Sequence, residues 1–133
     1  MGKAPQRLRH RHEFLRVARG GQKCAMPGLV LQVHEQQSPN HRKCPENIRL
    51  GFTVTRKVGN SVTRNRARRR LRAVASIVIQ KYAAEGHDYV VIGRALTTKR
   101  DFGALVGDLE KALQKLGKWQ ERIGAKDEGR LEP

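Results

Sequence analysis

An α+β two-layer sandwich with the element order α-β-β-α-β-α, and room for a short extra strand, is the fold class this sequence predicts. Three observations lead there. Two stretches alternate apolar and polar residues with the period of a half-buried strand, one later run is continuously apolar, and three segments carry apolar stripes at helical spacing. With 133 residues the chain is long enough for one core and too short for two. No run of 18 apolar residues is present and the basic N-terminus lacks an apolar stretch behind it, so the expectation is a cytoplasmic protein without a membrane span.

Taken in order, residues 1–7 form a basic N-terminal arm, residues 8–117 a single domain, and residues 118–133 a tail without periodicity. His10–Arg19 reads as a short helix with Phe14, Val17 and Ala18 on one face, ended by Gly20-Gly21. Leu29–His34 is a strand with Leu29, Leu31 and Val33 on the core face and Val30, Gln32 and His34 on the other. Ile48–Thr55 follows the same rule, with Ile48, Leu50, Phe52 and Val54 opposed to Arg49, Gly51, Thr53 and Thr55. Gln36–Asn47 between them is polar, holds Pro39 and Pro45, and reads as a long loop.

Gly59 supplies a turn, and Asn60 or Ser61 caps the next helix. Its core stripe is Ala67, Leu71, Val74, Ala75, Val78 and Tyr82, with Arg64 alone of the cations in line with it. Glu85-Gly86-His87 turns into Asp88–Arg94, whose unbroken apolar run suits a buried strand. Asp101 caps a last helix in which Phe102, Leu105, Val106, Leu109, Ala112, Leu113 and Leu116 form the core face.

Charge carries the functional signal. Lys and Arg number 28 against 12 Asp and Glu, a net +16. Residues 1–100 hold 22 basic and 5 acidic side chains, and residues 101–133 hold 6 and 7, so the cationic field belongs to the body of the domain. Within Thr55–Arg72 stand Arg56, Lys57, Arg64, Arg66, Arg68, Arg69, Arg70 and Arg72, with no carboxylate. Like charges at i,i+4 repel, and the first turns of a helix are where its dipole disfavours cations. Polyanionic phosphate, gripped by guanidinium forks, reverses both penalties. A solubilising charge run is the plain alternative.

Protein-borne nuclease chemistry finds little support. Metal-dependent hydrolysis wants clustered carboxylates, whereas Glu13, Glu35, Glu46, Glu85 and Asp88 are scattered and the other acids sit in the near-neutral C-terminal part. His10, His12, His34, His41 and His87 form no compelling pair. Cys24, His34, His41 and Cys44 lack the regular spacing of a zinc set, and the two cysteines are expected to be reduced.

The run Arg56-Lys57-Val58-Gly59-Asn60-x-Val62-x-Arg64-Asn65-Arg66-x-Arg68-Arg69-x-x-Arg72 resembles the signature of the bacterial ribonuclease P protein subunit. Glu13-Phe14-x-x-Val17, Leu50-Gly51-Phe52-Thr53-Val54, Asp88-Tyr89-Val90-Val91-Ile92 and the closing helix extend the resemblance over roughly residues 8–117. It implies a fold like the second domain of ribosomal protein S5, with a left-handed crossover at the basic helix. It further implies a cofactor role in the ribozyme that removes 5′ leaders from precursor tRNA. In that role the RNA holds the Mg²⁺ ions and the active site, and the protein has neither catalytic nor metal-binding residues.

Carried over position by position, Arg56, Lys57, Arg64, Asn65, Arg66, Arg68, Arg69 and Arg72 would bind the RNA subunit. Phe14, Val17, Ala18, Val30, Gln32 and Thr53 would line a cleft for the single-stranded leader. Many family members have an aromatic where this chain has Ala18, and often one where it has Gln32, which shifts the grip toward Phe14 and charge. Phe14 has a plainer reading as a plug under the first helix. Two other classes compete: a ribosomal-type protein that binds rRNA without turnover, and a DNA-binding helix. The second leaves few side chains for base edges among so many cations.

Overall fold

The computed structural model describes residues 6–36 and 48–120. Among these residues five strands form one sheet in the order β1-β4-β5-β3-β2: β1 (Gln6–Arg7), β2 (Gln22–Ala25), β3 (Leu29–Glu35), β4 (Ile48–Thr53) and β5 (His87–Gly93). The helices are α1 (Arg11–Gly20), α2 (Ser61–Tyr82) and α3 (Phe102–Lys115), with short 3₁₀ turns at Arg56–Val58 and Ala95–Thr98. Strands β1, β4 and β5 run parallel, while β3 is antiparallel to both β5 and β2.

The alternation read from the sequence is observed in β3, and less cleanly in β4, where Leu50 and Phe52 are half-buried and Gly51 beneath Phe14 is buried. Leu29, Leu31 and Val33 of β3, Tyr89 and Val91 of β5, Ile48 at the start of β4 and Val54 just after its end are buried. They meet Ala67, Leu71, Val74, Ala75, Val78 and Ile79 of α2 and Leu105, Leu109, Ala112 and Leu113 of α3 in the main core. Leu71 and Val74 are fully enclosed. Ile79 joins the α2 stripe, and Tyr82 lies half-buried at its margin.

Three expectations are corrected. The order is β-α-β-β-β-α-β-α, because Gln6–Arg7 pairs with Arg49–Leu50 of β4 and Gln22–Ala25 pairs with Val30–Val33 of β3. The basic arm therefore ends in a strand, and Leu8 directly after it is buried. The layering is also more than twofold. While α2 and α3 cover one face, α1 covers part of the other and builds a second small core of Leu8, Val17 and Val90, flanked by Phe14 and Ile92. This explains why β5 is apolar on both faces.

The third correction is at the C-terminal end. Trp119 bridges Ala83 and stacks on Tyr82 with ring centroids 4.2 Å apart, so residues 118–120 dock against the end of α2 rather than belonging to a tail. Residues 1–5, the loop positions 37–47 with His41 and Cys44, and residues 121–133 lie outside the described residues. No helix among those described is long and apolar enough to cross a membrane.

Candidate nucleic-acid interface

Strand β4 leads straight into the basic segment. After Thr53 the chain passes through the 3₁₀ turn, where Arg56 and Lys57 are exposed, to Gly59. Gly59 has φ 154°, a conformation L side chains rarely adopt, and a Cβ there would lie 2.9 Å from Thr63. Asn60 then caps α2 by accepting from the Thr63 N–H at 2.9 Å. The first turn holds no acid to offset the cations behind it.

The eight proposed contact positions do not share one environment. Arg56, Lys57, Asn65, Arg66, Arg69 and Arg72 are exposed, while Arg64 and Arg68 are half-buried. Arg68 donates to the Asn65 side chain at 3.3 Å, which links two residues of the motif one turn apart. Arg64, in line with the apolar stripe, has its Nε buried without a hydrogen-bond partner among the described residues. Among the described residues no carboxylate pairs with any cation from Arg56 to Arg72. Ion pairs are seen elsewhere, at Arg49 with Glu13 and Asp88, and at Arg100 with Asp108.

On the α1 side of the sheet the register sets out three rows across β3, β5 and β4. Val30, Ile92 and Thr53 form the first, Gln32, Val90 and Gly51 the second, and His34, Asp88 and Arg49 the third. Val30, Gln32, Thr53 and Ile92 are half-buried, and Ala18 is exposed on α1. Phe14 lies directly over Gly51, where an added Cβ would be 2.5 Å from the ring and 3.1 Å from Leu8. The ring is thus both a plug under α1 and a half-exposed wall. Val17 is corrected as a surface candidate: at 1% exposure it packs between the helix and Val90 and offers nothing to a ligand.

The third row closes the groove with charge. Arg49 donates from Nε and Nη2 to the two Asp88 carboxylate oxygens at 2.9 and 2.7 Å, and from Nη1 to Glu13 at 3.1 Å. The other Glu13 oxygen accepts the backbone N–H groups of Arg9 and His10 at 2.9 and 3.0 Å, fixing the start of α1. The bond from His10 is the largest influence holding the Glu13 carboxyl below its ordinary pKa, with Arg9 and Arg49 adding to it against partial burial. Hydrogen bonding to Asp88 in turn raises the Arg49 pKa. This strap went unread in the sequence, since its members stand 36 and 39 residues apart. The unbroken apolar run of β5 likewise signals a buried strand and carries no mark that Val90 and Ile92 fall in the groove rows.

Residues 3–117 match the family model described as Ribonuclease P. The "Ribonuclease P protein component" of Paramagnetospirillum magneticum is 46% identical over 119 residues, covering 90% of this chain and 88% of the relative. That of Gluconacetobacter diazotrophicus is 47% identical over 117 residues, covering 88% and 96%. Among solved structures, an RNase P protein from Thermotoga maritima superposes with TM-score 0.63 at 26% identity, covering 82% of this chain and 95% of its own. One from Staphylococcus aureus gives TM-score 0.66 at 24% identity, covering 85% and 95%.

Proposed function

This chain belongs to the ribonuclease P protein family, and from that premise we propose that it is the protein cofactor of a ribozyme that removes the 5′ leader from precursor tRNA. Membership makes it a tRNA-processing subunit of an endoribonuclease with an RNA partner. The finer assignment is our reading. Arg56, Lys57, Arg64, Asn65, Arg66, Arg68, Arg69 and Arg72 bind the catalytic RNA. The groove of Phe14, Ala18, Val30, Gln32 and Thr53 holds the leader, with Val17 supporting it from beneath. The parallel β4-α2-β5 crossover supports a wiring like that of the second domain of ribosomal protein S5.

One observation carries this reading: a cationic helix start with no carboxylate partner among the described residues. Phosphate oxygens supply the missing charge, and guanidinium forks bind them in pairs. The groove differs in chemistry, with a half-exposed aromatic, apolar flanks and an amide, which suits an unstacked strand.

Among the described residues no group of His, Cys, Asp and Glu is placed to hold a metal ion. Glu13 and Asp88 are engaged by Arg49, and Asp108 by Arg100 and the Gly28 N–H. Mg²⁺ held by the RNA would supply the activated water and the stabilisation of the leaving oxygen. The protein's part is to neutralise phosphate repulsion and to orient the leader.

The test is reconstitution of the protein with its ribonuclease P RNA at low Mg²⁺, using precursor tRNA with and without a 5′ leader. Stimulated cleavage that depends on the leader is expected. Folded RNA that gains nothing from the protein overturns the reading, and co-sedimentation with ribosomal particles instead would favour an rRNA-binding role.

A further inference from the structure

Phe102 is not where its helical stripe places it. Leu105, Leu109, Ala112 and Leu113 of α3 are fully buried, yet Phe102 is 38% exposed. Its ring faces the basic helix, with the Arg70 guanidinium carbon 6.0 Å from the ring centroid. Arg70 is tied to another element, donating through Nη2 to the Arg100 carbonyl.

Arg100 is itself anchored. It donates from Nε and Nη2 to the Asp108 carboxylate at 2.7 and 3.2 Å. Asp108, 3% exposed, also accepts the Gly28 N–H at 2.9 Å. The Arg70 guanidinium beside the ring is therefore held by a partly buried network before any ligand arrives.

The surroundings select the kind of ligand. Arg66 and Arg69 on α2, and Arg94 and Lys99 before α3, are exposed. Asp101, the one acid between Arg94 and Gly107, is turned to cap the Ala104 N–H at 3.3 Å. A half-exposed ring backed by a guanidinium, on a surface where exposed cations outnumber acids, matches a nucleobase carried on a phosphate backbone.

We propose that Phe102 and Arg70 form a stacking platform for one unpaired nucleobase of the RNA bound along α2, a subsite separate from the groove under α1. The inference rests on the reading of α2 as the RNA-binding surface. It assigns to Arg70 a positioning role toward the ring, in place of the phosphate contacts proposed for its neighbours.

The experiment measures affinity of the full-length protein for its ribonuclease P RNA across a salt series, using Phe102→Leu, Phe102→Trp and Arg69→Ala. Loss of one stacked base predicts that Phe102→Leu binds about 5- to 150-fold more weakly. Its salt slope and melting temperature should match wild type, because no phosphate contact is removed, and Phe102→Trp should retain affinity. Arg69→Ala should instead reduce the salt slope by about one.

Phe102→Leu binding within twofold of wild type, while Arg69→Ala weakens binding, overturns the platform and leaves the α2 reading standing. An unaffected Arg69→Ala overturns both. Should Phe102→Leu fail to fold, ultraviolet cross-linking of the wild-type complex decides. A cross-link in the tryptic peptide Asp101–Lys111, whose only aromatic is Phe102, supports the platform. A complex that cross-links elsewhere and not there refutes it.

Discussion

Arg49 and Asp88 occupy paired positions on adjacent parallel strands and share two hydrogen bonds of 2.9 and 2.7 Å, with the Asp88 side chain 1% exposed. Removing one member of such a pair leaves the other charge without compensation. Arg49→Ala is expected to cost about 3–5 kcal/mol of stability. Urea denaturation measures it, and the Arg49→Ala/Asp88→Ala double variant should lose less than the sum of the single losses.

Glu13 gives this strap a pH dependence. Its folded pKa lies below the ordinary value of 4.5, so its contribution is fully present above that value and is lost as pH falls through the folded pKa. Thermal melts from pH 6 down to pH 3 should show an acid loss of stability that is smaller in Glu13→Gln. Equal acid limbs in the two proteins would remove Glu13 from the account.

Binding and folding should separate along α2. Arg69→Ala changes an exposed side chain and is expected to weaken RNA binding with little change in melting temperature. Leu71→Ala empties a fully buried site and should cost about 2–5 kcal/mol. If about 6–8 phosphates are engaged, wild-type affinity should fall on the order of 10³–10⁵-fold between 50 and 200 mM salt. A flat salt profile would contradict phosphate-led recognition.

Gly51 tests the floor of the groove. A methyl group there would sit 2.5 Å from the Phe14 ring, so Gly51→Ala must displace the ring or α1. Overpacking of this kind costs about 1–3 kcal/mol. Affinity for leader-bearing substrate should drop while affinity for leaderless tRNA stays near wild type, a comparison made by titrating the two substrates side by side.

What could be read in advance follows from how each element is specified. Strands β3 and β4 were legible because their two faces meet different environments, so Leu31 and Gln32, or Phe52 and Thr53, differ in kind. The α2 stripe was legible for the same reason. Strands β1 and β2 are specified by backbone pairing with strands distant in sequence, and exposed residues such as Gln6, Arg7, Gln22 and Lys23 carry no periodic mark of it. Phe102 departs from its stripe because the residue of α2 that faces it is Arg70, a cation rather than an apolar side chain.

Asp88, one of the scattered acids, and Asp108, one of those in the near-neutral C-terminal part, are buried partners of arginines 39 and 8 residues away. Of the candidate site, the basic surface was legible as composition and the groove face as alternation. The burial of Val17 depended on α1 crossing to the second face of the sheet, which no local pattern encodes.

Thr53, at the edge of the groove, and Arg56, at the start of the cationic surface, are three positions apart, and the strand carrying Thr53 is clamped by neighbours on both sides. That proximity makes the domain a caliper. The span between its two jaws is set by covalent geometry, so whatever each jaw grips is held at one fixed offset from the other. Lengthening the connection by a single residue would reset that offset while leaving both jaws intact.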